Sequence, residues 1–414
     1  MSNPSRMVIV GAGLAGAKAA EALRAEGFDA AITLIGDEAD RPYERPPLSK
    51  EFLRGESERE KVFVHNDDWY SEHNVDLRLG ATASAIDRAA HEVVLSGGAR
   101  VGYDKLLLAT GSSPRTLAIP GSDLDGIAYL RRLPDSERIR AALERGGRVA
   151  IIGGGWIGLE VAAAARHAGV DVTVLESADL PLQRVLGDEV AQVFADLHTR
   201  NGVDLRLGVN VAELVGENGT VTGVRLSDNS IIPADLVLIG VGITPNVQLA
   251  ESAGLPVDNG IVVDEHLRTS DPDIFAAGDV ASAFHPRLNK RIRVEHWANA
   301  LNQPTVAARS MLGIEAVYDR TPYFYTDQYD LGMEYAGHVE PGGYDQVVFR
   351  GDPDSGEFVA FWVGQGRVLA GMAVNIWDVI DDIKALVESG REVDLQALAD
   401  LHTPLAALVQ AGSG

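Results

Sequence analysis

Two glycine turns of the same spacing, Gly11-x-Gly13-x-x-Gly16 and Gly153-x-Gly155-x-x-Gly158, stand at the head of alanine-rich segments in this 414-residue chain. The apolar run Met7-Val8-Ile9-Val10 leads into the first, and Arg148 to Ile152 into the second; the patterning predicts helices over 17–25 and 159–167. In a strand–turn–helix unit the first glycine permits the tight turn and the second lets backbone approach a pyrophosphate. The third lets helix and strand pack closely, while the helix N-terminus supplies N–H donors and a partial positive charge. A single such turn is weak evidence, because a packing glycine accounts for it. Two in the same context point to an enzyme that holds two nucleotides.

The residue ending the next strand separates the two units. Val172 to Leu175 is predicted as a strand ending at Glu176, a carboxylate that can accept both ribose hydroxyls of NAD and repels the 2′-phosphate of NADP. In the first unit the matching strand, Ala31 to Ile35, ends at Gly36, and the acids Asp37 and Glu38 come just after. Either can serve the ribose there.

Composition narrows the chemistry. The chain has no cysteine, so redox-active thiol pairs, thiolate metal sites and a protein-bound iron–sulfur cluster are excluded. Electrons must pass through an organic cofactor or another protein. A formal charge of −24 argues against nucleic acid or an anionic membrane as partner. No apolar stretch approaches the roughly 20 residues that span a bilayer, and the first strand begins too early to leave room for a signal peptide. These features predict a cytoplasmic protein.

Further markers set the domain plan. Leu106 to Leu108 closes on Ala109-Thr110-Gly111, Leu236 to Gly240 closes on Gly240-Val241-Gly242-Ile243-Thr244-Pro245-Asn246, and Asp273 to Ala277 ends in Gly278-Asp279. The expected plan is a first nucleotide-binding domain over 1–112 and 245–323, interrupted over 113–244 by the second, which carries the NAD-type Glu176. Alternating stretches at 346–350 and 358–362 and an amphipathic helix over 376–389 predict a C-terminal α+β domain, 324–414, with a flexible end at 411–414. The fold class is α/β, with two Rossmann-like dinucleotide-binding domains and this appended domain.

Together these markers resemble the two-dinucleotide-domain flavoproteins of the glutathione-reductase-like fold. Arg41-Pro42-Tyr43-Glu44-Arg45-Pro46-Pro47-Leu48-Ser49-Lys50 is similar to the signature of the NADH-dependent ferredoxin reductases that serve cytochrome P450 and aromatic-ring dioxygenase systems, the putidaredoxin-reductase-like family. Disulfide reductases carry their redox cysteines at this place.

The resemblance implies FAD and NAD as cofactors, hydride transfer from nicotinamide to flavin, and release of single electrons to a [2Fe-2S] ferredoxin in a transient complex. It implies catalytic roles for Lys50 near the flavin ring, Glu160 beside that lysine, and Trp297 at the ring edge. FAD contacts are implied for Gly11, Gly13, Ala15, Gly16, Asp37, Arg45, Ala83, Ala109, Thr110, Gly111, Arg131, Gly278, Asp279, Glu295 and His296. NAD contacts are implied for Gly153, Gly155, Ile157, Gly158, Glu176 and Gly242. Ferredoxins are acidic, so a local basic patch is expected on this acidic chain; Arg287, Lys290, Arg291 and Arg293, just before Trp297, are the candidates. The rival readings are a rubredoxin reductase, an NADH oxidase or quinone reductase on the same scaffold, and an NADH-binding flavoprotein similar to apoptosis-inducing factor.

Overall fold

The computed structural model describes residues 4–410, so the 411–414 end lies outside the described residues. Its contacts divide into two units. One takes in the residues up to Arg45, Glu58–Ser113 and Ile243–Arg320; the other takes in Pro46–Ser57, Pro114–Gly242 and the residues from Thr321 on.

In the first unit the run before the glycine turn forms the strand Arg6–Val10, parallel to Ala31–Ile35 on one side and to Lys105–Leu108 on the other. Val75–Arg78 and Ile274–Ala276 complete a five-stranded, wholly parallel sheet. A central parallel strand is covered on both faces, which is why it reads as an unbroken apolar run and not as an alternating one. The helix Leu14–Ala25 starts three residues before the predicted bound, because Gly13 in extended conformation (φ −95°, ψ −166°) opens it. Its alanines bring it close to the sheet, with Ala17, Ala19, Ala20 and Leu23 fully buried.

The second unit repeats the plan with Asp204–Arg206, Asp171–Leu175, Arg148–Ile152, Leu236–Ile239 and Ile127–Ala128, again all parallel. The last strand is only two residues long. Pairing with Val237 and Leu238 is made by Ile127 and Ala128, and Tyr129 has already left the ladder, its hydroxyl accepting from the Leu117 N–H at 3.2 Å.

The same unit contains a five-stranded antiparallel sheet, in the order Tyr323–Gln328, Leu331–Gly337, Arg367–Val374, Glu357–Gly364, Gln346–Asp352. One face shares a core with the helices Trp156–His167 and Asp188–Arg200 through Leu159, Phe194, Tyr335, Trp362 and Met372. The Trp362 indole is fully buried and donates to the Leu186 carbonyl at 2.9 Å, so its one polar atom is satisfied. The other face carries the helix Ile380–Ser389 through Ile383 and Leu386. That helix begins four residues later than its apolar pattern predicts. Asn375 (φ 51°) and Asp378 (φ 65°) take left-handed backbone, which a right-handed helix cannot pass through, although Ile376 and Val379 still pack against the same core.

Residues 46–57, expected within the first domain, pack in the second unit. Leu53 joins the core formed by Ile139, Val149, Val161 and Leu238, and the buried Ser136 hydroxyl donates to the Leu48 carbonyl at 2.8 Å. Among the described residues no helix is long and apolar enough to cross a membrane.

Candidate functional site

At the first glycine turn, Gly11 has φ +114° and a Cβ there would stand 2.0 Å from the Ala109 carbonyl oxygen. A Cβ on Gly16 would stand 2.0 Å from the Gly11 carbonyl, whereas one on Gly13 would meet nothing within 4 Å. The turn is therefore closed where strand and helix meet and open where the helix N-terminus points outward, with no side-chain cap on its N–H groups. Ala15 is buried, as is Ala109. Asn246 clamps the neighbouring turn: its amide donates to the Thr110 carbonyl, and its own carbonyl accepts the Thr110 hydroxyl, both at 2.8 Å. Beyond Gly111, the buried Ser112 hydroxyl has no hydrogen-bond partner. Gly278 donates its N–H to Gln303 at 2.8 Å. An open helix terminus with uncapped N–H groups behind an unobstructed Gly13 fits a dinucleotide phosphate.

Gly36 ends the adjacent strand because a Cβ there would stand 2.4 Å from that of Ala12. The acids after it divide. Glu38 takes the Tyr43 hydroxyl at 2.5 Å and the Arg45 guanidinium at 3.2 Å, while Asp37 is exposed. Burial works against the Arg45 charge, but Tyr43, Glu38 and Asp279 outweigh it and hold the guanidinium above its ordinary range. Arg45, expected on a pyrophosphate, pairs with Glu38. Trp297, first residue of the helix Trp297–Met311, donates its indole N–H to Glu44 at 3.1 Å, and His296 is the residue before that helix. Ala83 opens the strand Ala83–Asp87, in a separate three-stranded antiparallel sheet.

The second glycine turn is built alike: Gly153 has φ +106° with a Cβ 2.4 Å from the Gly240 carbonyl oxygen, Gly158 would meet Gly153 at 2.2 Å, and Gly155 is open. Here the strand does end in an acid. Glu176 accepts the Gly154 N–H at 2.7 Å with one oxygen and the Ala178 N–H at 2.8 Å with the other, which fixes the carboxylate beside the turn. Ile157 is 45 % exposed on the first helical turn, an apolar residue left at the open end. Gly242 has φ +99°, and the Arg131 N–H donates to Asp135 at 3.2 Å.

Lys50 and Glu160 form a buried ion pair at 2.8 Å, with side chains 7 % and 4 % exposed. Ser49, last residue of the short helix Pro46–Ser49, donates to the same Glu160 oxygen at 2.5 Å, and Thr326 donates to the other at 2.5 Å. The Lys50 ammonium also lies 5.5 Å from the Tyr325 ring centre. Burial raises the Asp327 carboxyl above its usual range, with Lys50 opposing and Glu160 adding to the rise.

The basic segment folds as the hairpin Ala281–His285, Lys290–Ile292. Arg291 donates to the carbonyls of Val263 and Ser282, Arg293 pairs with Glu295 at 2.5 Å, and Arg287 pairs with Asp319 at 3.1 Å. Arg287 is exposed and Lys290 half-buried. Of the four cations expected on an open patch, Arg291 is bound to backbone carbonyls, and Arg287 and Arg293 each pair with a carboxylate. The backbone polar groups that Arg291 satisfies lie too far along the chain to be seen as its partners.

Sequence reasoning passed over Thr326, Gln328 and His198. Their signal is a strand, Tyr323–Gln328, whose two inward positions 326 and 328 are polar and 1 % and 0 % exposed. A buried polar pair at period two must be hydrogen-bonded to something, and here Thr326 bonds Glu160 while Gln328 bonds Thr326 and His198.

The family described as pyridine nucleotide-disulphide oxidoreductase matches residues 5–303, and one described as reductase C-terminal matches 323–409. The chain is 43 % identical over 395 residues to the anthranilate 1,2-dioxygenase system ferredoxin–NAD(+) reductase component of Burkholderia cepacia, covering 95 % of this chain and 96 % of that protein. It is 39 % identical over 417 residues to putidaredoxin reductase CamA of Pseudomonas putida, covering 99 % and 98 %. Among solved structures it is similar to the covalent putidaredoxin reductase–putidaredoxin complex, with a TM-score of 0.96, 38 % identity and 100 % of both chains covered.

Proposed function

Because the chain belongs to the pyridine nucleotide-disulphide oxidoreductases and carries a reductase C-terminal domain, we propose that it is an FAD-dependent ferredoxin reductase. It takes electrons from NADH and passes them to a [2Fe-2S] ferredoxin that serves a cytochrome P450 or Rieske-type oxygenase, and it works in the cytoplasm. One observation carries the reading: a chain that matches ferredoxin reductases along nearly its whole length has no cysteine, and holds a buried ammonium–carboxylate pair just after Pro46-Pro47.

FAD, when bound, supplies a two-electron acceptor that can return electrons singly. The residues of this chain bind, orient and set charge. The turn at Gly11, Gly13 and Gly16 holds the FAD pyrophosphate on the open helix N-terminus, and Asp37, exposed just after Gly36, takes the ribose. The turn at Gly153, Gly155 and Gly158 holds the NADH pyrophosphate, and Glu176, its rotamer fixed by two backbone N–H groups, takes the ribose hydroxyls. Hydride transfer needs stacking and alignment more than acid–base groups, and exposed Ile157 gives an apolar contact at that turn. Lys50 places a positive charge that favours the reduced flavin anion, and Glu160 keeps it paired. Trp297, its indole anchored by Glu44, is rigid enough to pack against the ring. Arg287 and Lys290 on the hairpin dock an acidic ferredoxin.

Anaerobic stopped-flow absorbance checks the whole. NADH should bleach the flavin band quickly and NADPH slowly, and the band should return only when an oxidised [2Fe-2S] ferredoxin is added, at a rate that falls with salt. Equal reoxidation by oxygen or a quinone would replace the reading with an oxidase or quinone reductase, and a chain that takes up no FAD would end it.

A further inference from the structure

Glu160 is one end of a longer row of buried groups. A carboxylate only accepts, so the Thr326 hydroxyl, 2.5 Å from Glu160, commits its hydrogen there. Its oxygen then accepts the Gln328 amide N–H at 3.2 Å. That turns the Gln328 carbonyl toward His198, 2.8 Å away, so the His198 Nε2 carries the hydrogen. His198 Nδ1 is left as acceptor, and the Tyr329 hydroxyl lies 3.2 Å from it. Every bond in the row donates in one direction, from Tyr329 through His198, Gln328 and Thr326 to Glu160, while Ser49 and Lys50 donate to the other carboxylate oxygen. Thr326, Gln328 and His198 are 1 %, 0 % and 0 % exposed, so no water competes for these sites.

We propose that Thr326, Gln328 and His198 are positioning residues, a buried donor row that fixes the Glu160 carboxylate in one orientation and so holds the Lys50 ammonium where it sets the flavin's potential. The proposal rests on the reading that Lys50 acts on a bound flavin. Its physical content is the positive end of each dipole facing the carboxylate, which offsets part of the Glu160 charge and leaves more of the Lys50 charge for the reduced flavin anion. Asp327, next along the strand, feels Lys50 and Glu160 together with Glu51 and Arg54, and Arg166 acts on Tyr329 at the far end. Burial pushes His198 down to about 4, so the ring stays neutral and the row keeps its direction across the working pH range.

The test uses the full-length, FAD-loaded chain with Thr326→Val, which removes the donor at constant shape, and Thr326→Ser, which restores it. Thr326→Val should move the redox equilibrium between flavin and a reference dye about 5-fold toward oxidised flavin and lower kcat with NADH by about 5-fold, leaving KM within about 2-fold. Thr326→Ser should return both to within about 2-fold of the parent chain. Histidine 15N NMR of the chain, with or without flavin, should show His198 as the neutral Nε2–H tautomer. A Thr326→Val variant of unchanged potential but lowered melting temperature, or a serine variant no better than valine, would reduce the row to packing. An Nδ1–H tautomer at His198 would overturn it outright. A chain that binds no flavin fails the functional reading instead, and the tautomer still decides the row.

Discussion

The two glycine turns differ in the side chain that stands at the end of the neighbouring strand. In the first unit, Gly36 follows the strand, the exposed Asp37 comes next, and Glu38 is bound by Tyr43 and Arg45. In the second, Glu176 occupies that place and is held by the Gly154 and Ala178 N–H groups. The shared turn serves a shared chemical part, the pyrophosphate, whereas the acid serves the part that distinguishes one dinucleotide from another. A fold repeated within one chain thus keeps the backbone device and changes the side chain that selects.

Breaking the shared device should have the largest effect. Gly11→Ala puts a methyl 2.0 Å from a backbone oxygen at φ +114°, and should cost about 3 kcal/mol or more in the first unit, read by denaturant unfolding. Gly153→Ala, at 2.4 Å, should do the same to the second unit. Gly13→Ala, in open space, should cost under about 1 kcal/mol yet weaken FAD retention, which separates the fold's need for glycine from the ligand's.

Acid sharpens the comparison next. His198, in the second unit, has its native value pushed down to about 4 by burial, against an ordinary 6.5 in the unfolded chain. Between those values the unfolded chain binds a proton that the native one refuses, so stability is full above about 6.5 and falls as pH drops toward 4. At about 1.4 kcal/mol per unit, the loss reaches about 3 kcal/mol below pH 4. Thermal melts against pH should show this limb, and His198→Leu should flatten it.

The smallest effect isolates the selecting acid. Glu176→Ser should lower the ratio of kcat/KM for NADH over NADPH by about 10-fold, while Glu38→Gln in the first unit should leave that ratio unchanged. An equal change in both would mean that the acids are not specialised.

Period and turn chemistry made the two parallel sheets readable, because a doubly covered strand is apolar throughout and its turn needs glycine for reasons visible in a few residues. The pairing of Lys50 with Glu160 came from the resemblance to a known family and could not have come from spacing, since 110 positions separate them. The fate of the basic segment was not readable. Whether Arg291 meets solvent or the carbonyls of Val263 and Ser282 depends on strands that sequence does not place beside it. The late start of the helix at Ile380 is of the same kind, since its apolar pattern runs on through residues whose backbone turns left-handed.

By itself the sequence determined the strand–turn–helix units, the absence of thiol chemistry and the acid that ends the second unit's strand. These are local properties, decided by side chains a few residues apart or by their absence. Tertiary structure alone decided which acids are engaged, which cations are tied down and that Glu160 gathers donors from Ser49, Lys50 and Thr326. A buried charge must find its hydrogen bonds wherever the fold brings donors to it, and that distance along the chain carries no local signal.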